Sequence, residues 1–227
     1  MDFTFGICKS IESVHLENII DSIRNQNIPN YEIIIVGSNH QILGDDIKNI
    51  NFDETEKRGW ITRKKNLITK NAKYENIVYL HDYIFFTYKW YEGQLKSGND
   101  FHIRMDKIIN LDGSRFRDWC IWPHNNNEMD EIIKRDIMIP YNITHLSKYM
   151  YISGAYWIGK KNIMKEYPLD ENLLWGESED VIWSKQIREK YHFNMNINST
   201  VKLLKQQNNH GFGQPTQQII NILKNYE

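Results

Sequence analysis

Apolar and polar positions in the first part of the chain alternate between two periods. Phe3 to Cys8 is an apolar run of strand length. Over residues 12–26, Leu16, Ile19, Ile20 and Ile23 recur at helical spacing on an otherwise polar segment, which predicts an amphipathic helix ended by Pro29 and Asn30. Tyr31-Glu32-Ile33-Ile34-Ile35-Val36 is a β-branched run and predicts a buried strand, with a turn at Gly37-Ser38-Asn39. A second unit follows. Gly59 to Ala72 reads as a helix containing Arg63-Lys64-Lys65 and Asn66, and Ile77-Val78-Tyr79-Leu80 as a buried strand that runs into His81-Asp82-Tyr83. Short strand–helix–strand connections favour a parallel sheet covered on both faces. Ligands of such sheets collect beyond the carboxyl ends of the strands, the edge to which Ser38, Asn39 and His81-Asp82-Tyr83 belong.

The rhythm is lost after residue 90. Residues 92–150 carry Gly93, Gly98, Gly113, Pro123 and Pro140 and read as mixed strands and loops. Regularity returns in a helix beginning near Asp180, with Trp183, Ile187 and Tyr191 on one face, and in a short tail helix from Pro215 carrying Ile219, Ile220 and Leu223. No internal repeat or linker divides the chain, so residues 1–227 are expected to form a single α/β domain.

Composition narrows the function classes. In 227 residues, 41% hydrophobic and 13% aromatic content supplies a sizeable core and excludes disorder. With 28 basic and 29 acidic residues the net charge is −1, which predicts no general attraction to nucleic acid or to an anionic membrane. Any polyanionic ligand must be held locally. Cys8 and Cys120 have neither zinc-site nor CxxC spacing, which points to a reducing, cytoplasmic setting. The N-terminus lacks the pattern of a signal peptide, and no run reaches the roughly 18 apolar residues of a membrane span. The expectation is a soluble protein, at a membrane only through a partner.

Three constellations have chemical content. In Tyr79-Leu80-His81-Asp82-Tyr83, a strand-end Asp can bind a divalent cation together with a ligand's phosphates; equally, Asp82 can cap the next turn and His81 can be an ordinary satisfied histidine. In Trp175-Gly176-Glu177-Ser178-Glu179-Asp180, three carboxylates repel one another unless a cation or a shared proton relieves them. The competing reading makes Ser178 an N-cap with Glu179 and Asp180 in the first helical turn. The third is His210 in a Gly-containing loop, where a neutral imidazole can ligate a metal. Arg63, Lys64 and Lys65, with Lys70 and Lys73, form either a solvated helix face or a contact for a diphosphate. Arg104, Arg115, Arg117 and Arg135 fall in the irregular middle, with Asp112 and Asp118 as candidate ion-pair partners.

Taken in order, these features resemble the GT-A glycosyltransferases, above all family 2-like members and the galactosyl- and polypeptide N-acetylgalactosaminyltransferases. Phe3 to Ser38 is similar to their nucleotide-cradling unit, and Gly59, Asn66 and Ala72 to the helix before their acidic strand end. His81-Asp82-Tyr83 resembles their DxD motif, Ser153-Gly154-Ala155 their acceptor-side segment, and Trp175 to Asp180 their Trp-Gly-acidic motif. His210 is similar to the loop histidine that completes the metal site in many relatives.

The resemblance implies a Rossmann-like, mixed nucleotide-binding sheet flanked by helices. Residues 1–90 would be the nucleotide-binding half and 91–227 the acceptor-binding and catalytic half. It implies transfer of a sugar from a UDP- or GDP-sugar to a hydroxyl of a glycan, protein or small molecule, with inversion. Asp180 would be the base, with Glu179 second. Ser38, Asn39, Arg63, Asn66, His81, Gly154, Trp175 and Glu177 would contact donor or acceptor, with Trp175 and Trp157 offering faces to a sugar ring. Mn²⁺ or Mg²⁺ would be held by Asp82 and His210. Two places depart from the pattern: a full DxD has two carboxylates, whereas this tripeptide keeps Asp82 alone, and the second strand ends in Gly37-Ser38-Asn39 where family 2 members have an Asp-containing turn. The alternatives are an inactive nucleotide-sugar- or carbohydrate-binding module and a sugar-nucleotide nucleotidyltransferase, though the latter's Gly-rich phosphate loop is not evident in Gly6-Ile7-Cys8-Lys9-Ser10.

Overall fold

Alternate side chains of Phe3-Thr4-Phe5-Gly6-Ile7-Cys8 leave opposite faces of a strand, and both faces here are buried. In the computed structural model, which describes residues 1–38, 42–121, 133, 136–208 and 212–226, this segment is β1 (Phe3–Cys8). It lies between β2 (Tyr31–Gly37) and β4 (Asn76–His81), parallel to both. Phe3, Phe5 and Ile7 join one core layer with Ile33, Ile35, Val78 and Leu80. That layer is covered by α1 (Leu16–Arg24), through Leu16, Ile19, Ile20 and Ile23, and by Trp90 of α3 (Trp90–Ser97). Cys8, Ile34, Val36, Ile77 and Tyr79 face the other layer, where Ile68 of α2 (Ile61–Asn71) packs. This period-two partition is why the apolar runs are unbroken: each strand is buried on both sides.

The sheet continues outward in both directions. β3 (Ile47–Asn51) adds parallel to β2. Beyond β4, β10 (Tyr156–Lys160) runs antiparallel to it, and β6 (Ile103–Ile109) runs antiparallel to β10. β11 (Phe193–Leu203) is parallel to β6, and β5 (Ile84–Phe86) closes the edge antiparallel to β11. The order is β3-β2-β1-β4-β10-β6-β11-β5. A small antiparallel sheet holds β7 (Cys120–Ile121) between β8 (Ile137–Met138) and β9 (Met150–Tyr151). Among the described residues the remaining α-helices are α4 (Lys161–Glu166), α5 (Glu179–Ile187) and α6 (Gln217–Lys224).

Register decides what meets at the upper edge. Cys8 stands opposite both Val36 and His81, so Lys9-Ser10, Gly37-Ser38 and Asp82-Tyr83 emerge together. Tyr156 pairs with Leu80, which brings Ser153-Gly154-Ala155 to the same place from the opposite direction. Leu203 pairs with Ile84, and the Leu204 N–H donates to the Tyr83 carbonyl at 2.8 Å, so Lys205 arrives beside Tyr83.

The expected helices are present with tighter limits. The predicted helix face of Trp183, Ile187 and Tyr191 holds only in part: α5 ends at Ile187, and Tyr191 lies beyond it with its hydroxyl donating to Glu166. β11 has no apolar signature, because its buried Asn196 and Ser199 serve polar partners in the core. Asn196 Nδ2 donates to Asp106 at 2.9 Å and Ser199 Oγ to the Trp90 carbonyl at 2.8 Å. Of the arginines in the middle segment, Arg115 pairs with Asp118 at 2.6 Å, whereas Asp112 caps its own turn through Ser114. Among the described residues no helix is long and apolar enough to cross a membrane.

Candidate active site

The end of β4 is anchored to the end of β1. Asp82 Oδ2 accepts from the Ser10 N–H at 2.7 Å and from Ser10 Oγ at 2.6 Å, and Asp82 is buried. His81 donates its backbone N–H to Ala155 O at 3.1 Å, and its ring meets Tyr83 edge-on with centroids 5.3 Å apart. Burial, then the nearby charges of Lys65, Lys205 and Lys64, hold the imidazole well below its ordinary pKa, so it is neutral at pH 7. Its Nε2 is sealed from solvent and has no hydrogen-bond partner among the described residues. Lys205 Nζ lies 3.7 Å from the centroid of the Tyr83 ring.

The acidic motif is shaped by backbone rather than by a side-chain cap. Gly176 and Ser178 both take left-handed conformations, at φ 87° and 60°. Ser178 occupies the N-cap position of α5 with Glu179 and Asp180 in the first turn, as the capping reading has it, but its side chain makes no cap bond. A non-glycine residue there costs about 1–2 kcal/mol. Glu177 Oε2 accepts from the Leu174 N–H at 2.8 Å, so this carboxylate braces its own turn. Asp180 Oδ2 accepts from the Gly154 N–H at 2.7 Å and Oδ1 from the Val181 N–H at 2.9 Å.

A Cβ at position 154 would stand 2.8 Å from Asp180 Oδ2, so a larger residue there would displace this carboxylate. The Gly154 carbonyl accepts from Lys65 Nζ at 3.0 Å. That ammonium, fully buried, lies 3.8 Å from Glu179 Oε1 and 4.4 Å from the Trp157 ring centroid. Burial raises the pKa of both Glu179 and Asp180, and Lys65 opposes the rise. One residue, Gly154, thus links a buried cation through its carbonyl to a carboxylate through its N–H.

Two adjoining cavities open at this edge. One, of about 310 Å³, is lined by Ser10, Arg58, Gly59, Lys64, Asp82 and Lys205 among others. The other, of about 280 Å³, is lined by Arg117, Tyr151, Gly154, Glu179, Asp180 and Phe212 among others. His81, Tyr83 and Trp175 line both. Trp175 is 66% exposed, a bare indole at the junction.

No family model and no curated protein matches the chain. Solved structures do. S. aureus TarS superposes with a TM-score of 0.54 at 12% identity, covering 89% of this chain and 58% of that one. TarS in complex with UDP gives 0.56 at 13%, covering 98% and 63%. GalNAc-T7 with UDP, GalNAc and Mn²⁺ gives 0.60 at 15%, covering 95% and 45%. The chain has a GT-A-like fold. It spans less than two thirds of the length of each of these structures, and identities this low carry the fold and not the chemistry.

Within this GT-A-like frame the expected site residues separate. His81, Asp82, Gly154, Trp175, Glu179 and Asp180 converge on the two cavities. Ser38 lines neither; its carbonyl accepts from Lys9 Nζ at 2.8 Å. Arg63 pairs with Glu171 at 2.8 Å and stacks on Trp60, and Asn66 hydrogen-bonds Glu171 and both backbone groups of Leu169, so these two fasten α2 to the following loop. Trp157 is fully buried and stacked on Tyr79, a core residue with no face for a sugar. Asn39 and His210 lie outside the described residues, as does Arg135.

The residues that sequence reasoning left unplaced are Ser10, Arg58, Lys65, Arg117 and Lys205. Lys65 had a signal, because α2's apolar stripe lacks an apolar residue where Lys64 and Lys65 face inward.

A divalent cation does not fit the described residues. Among them no three His, Cys, Asp or Glu side chains converge as a metal site. Asp82 already accepts two hydrogen bonds at one oxygen, His81 Nε2 is closed off, and an ammonium stands over Tyr83.

Proposed function

We propose that this protein transfers a sugar from a nucleoside-diphosphate sugar to an acceptor hydroxyl. The observation that carries this reading is the placement of Asp180 in one cavity and of the Asp82 strand end in the next, with Trp175 exposed where they join. Residues 1–90 supply most of the donor cavity and 91–227 the acceptor cavity and base. The nucleotide occupies the cavity beyond β1 and β4, the usual ligand edge of a parallel sheet. The sugar reaches past Trp175 and His81 to the second cavity.

An acceptor hydroxyl is a weak nucleophile at neutral pH and loses its proton to a carboxylate in the transition state. Asp180 suits that role. Each of its oxygens accepts one backbone N–H and keeps a second lone pair for the acceptor proton. Glu179, with the buried Lys65 beside it, supports the same site. Displacement by the acceptor from one cavity, with the diphosphate leaving into the other, inverts the anomeric carbon.

Asp180→Asn is expected to lower transfer, followed as UDP or GDP release from a panel of nucleotide sugars, by about 10²–10⁴-fold. Calorimetric affinity for the nucleotide should stay within about twofold, as the variant leaves the donor cavity intact. Turnover equal to wild type would remove Asp180 from the role of base. The presence of His81 where the motif family has a carboxylate favours one rival, a binding module without turnover. Wild-type protein that binds nucleotide sugars and never releases the nucleoside diphosphate would decide for it.

A further inference from the structure

We infer that the donor diphosphate is neutralised by fixed side-chain cations, Lys205 foremost and Arg58 with it, in place of a metal ion. This inference rests on the donor-site reading above and adds the chemistry of the phosphate subsite.

The argument starts from the three positions after β4. The motif needs two carboxylates to hold a dication that bridges phosphate oxygens. His81 Nε2 is sealed from solvent, without a partner among the described residues. Tyr83 offers a phenol in place of a carboxylate, and its ring lies beneath Lys205 Nζ. Asp82 is the one carboxylate of the three, and Ser10 binds it twice.

Over the third position, Tyr83, the chain places an ammonium. The pairing of Leu203 with Ile84 and the Leu204 N–H bond to Tyr83 fix the approach of Lys205, whose Nζ covers the Tyr83 ring. A dication in the same cavity would meet this charge as a like charge, whereas a phosphate meets it as a counter-ion.

The other charges of the cavity are accounted for. Lys64 is paired with Glu54 and donates to Lys9 O, and Lys9 donates to Ser10 O and Ser38 O. Arg58 and Lys205 make no hydrogen bond or ion pair among the described residues, and Lys205 feels Asp82 as its opposite charge. Glu12 lines the same cavity as an exposed carboxylate. Lys and Arg bind phosphate without a metal, Arg by a fork of donors and Lys as a point charge.

The test is calorimetric binding of UDP and of GDP in EDTA and in Mn²⁺, for wild type, Lys205→Met and Lys205→Arg, with thermal melts as a fold control. Lys205 is exposed, so its variants are expected to fold. The inference expects one nucleotide to bind in EDTA within about threefold of its affinity in Mn²⁺. It expects Lys205→Met to weaken that binding at least about tenfold and Lys205→Arg to retain most of it. Binding that is lost in EDTA and restored by Mn²⁺, or that is indifferent to Lys205→Met, overturns the inference while leaving the donor site standing. No binding of either nucleotide to wild type in either buffer overturns the donor-site reading and the inference with it.

Discussion

The ammonium of Lys65 is buried beneath the Gly154 carbonyl, Glu179 and the Trp157 ring, where the desolvation cost of a charge is offset only by such partners. Its effect on the proposed base has a definite sign. A carboxylate acts as base only when ionised, so activity falls as pH drops through its pKa. Burial has already lifted that pKa, and Lys65 pulls it down. Removing the ammonium lifts it further and moves the acid limb of the rate profile to higher pH. Lys65→Met is therefore expected to lose more kcat/KM at about pH 6 than at about pH 9, and Lys65→Arg to recover the difference. An acid limb that stays in place would show that Lys65 serves packing alone. Arg63 illustrates the contrast two positions earlier: on the same helix it is exposed, paired with Glu171, and belongs to neither cavity.

Elements meet here through close backbone contacts as much as through apolar side chains. α3 rests on β11 at Gly93, where an added Cβ would stand 2.3 Å from the Asn198 carbonyl oxygen. Neither partner can yield easily, because one is a helix and the other a strand backbone. Gly93→Ala is expected to destabilise the fold by about 2–3 kcal/mol, the upper part of the overpacking range, read as a lowered urea midpoint with unchanged slope. A midpoint unchanged within error would mean that the helix can slide off the strand. The same juxtaposition holds Asn196, Ser199, Trp90 and Asp106 in one buried polar network, so the sheet edge that delivers Lys205 is tied to the helix behind it.

Across the whole molecule both thiols are enclosed. Cys8 lies at the end of β1 and Cys120 in the small sheet, and each is buried and free. Burial pushes the Cys8 thiol up to about 11 and raises Cys120 as well. The thiolate is the reactive form, so native protein is expected to react with a thiol reagent at least about 10²-fold more slowly than urea-unfolded protein. Rapid labelling of either cysteine in the native state would contradict the enclosed arrangement. With both thiols unpaired, the stability of the fold rests on its two core layers and needs no covalent staple.

The sequence by itself determined the first half of the fold. Phe3–Cys8, Tyr31–Val36 and Ile77–Leu80 are apolar because both their faces are buried, and the stripe of α1 is apolar because one face is. It also singled out Asp82, Gly154 and Asp180 from their motif context, and the fold brings them to the two cavities. Tertiary structure alone decided three things. It made β11 a strand paired on both sides despite its asparagines, since their partners come from α3 and β6. It sorted one basic run into an exposed Arg63 and a buried Lys65, because periodicity marks a face without naming what that face meets. And it carried Lys205 to Tyr83 through an antiparallel pairing between segments more than a hundred positions apart. Local pattern records which side of an element is buried; only the completed sheet brings distant charges to one edge.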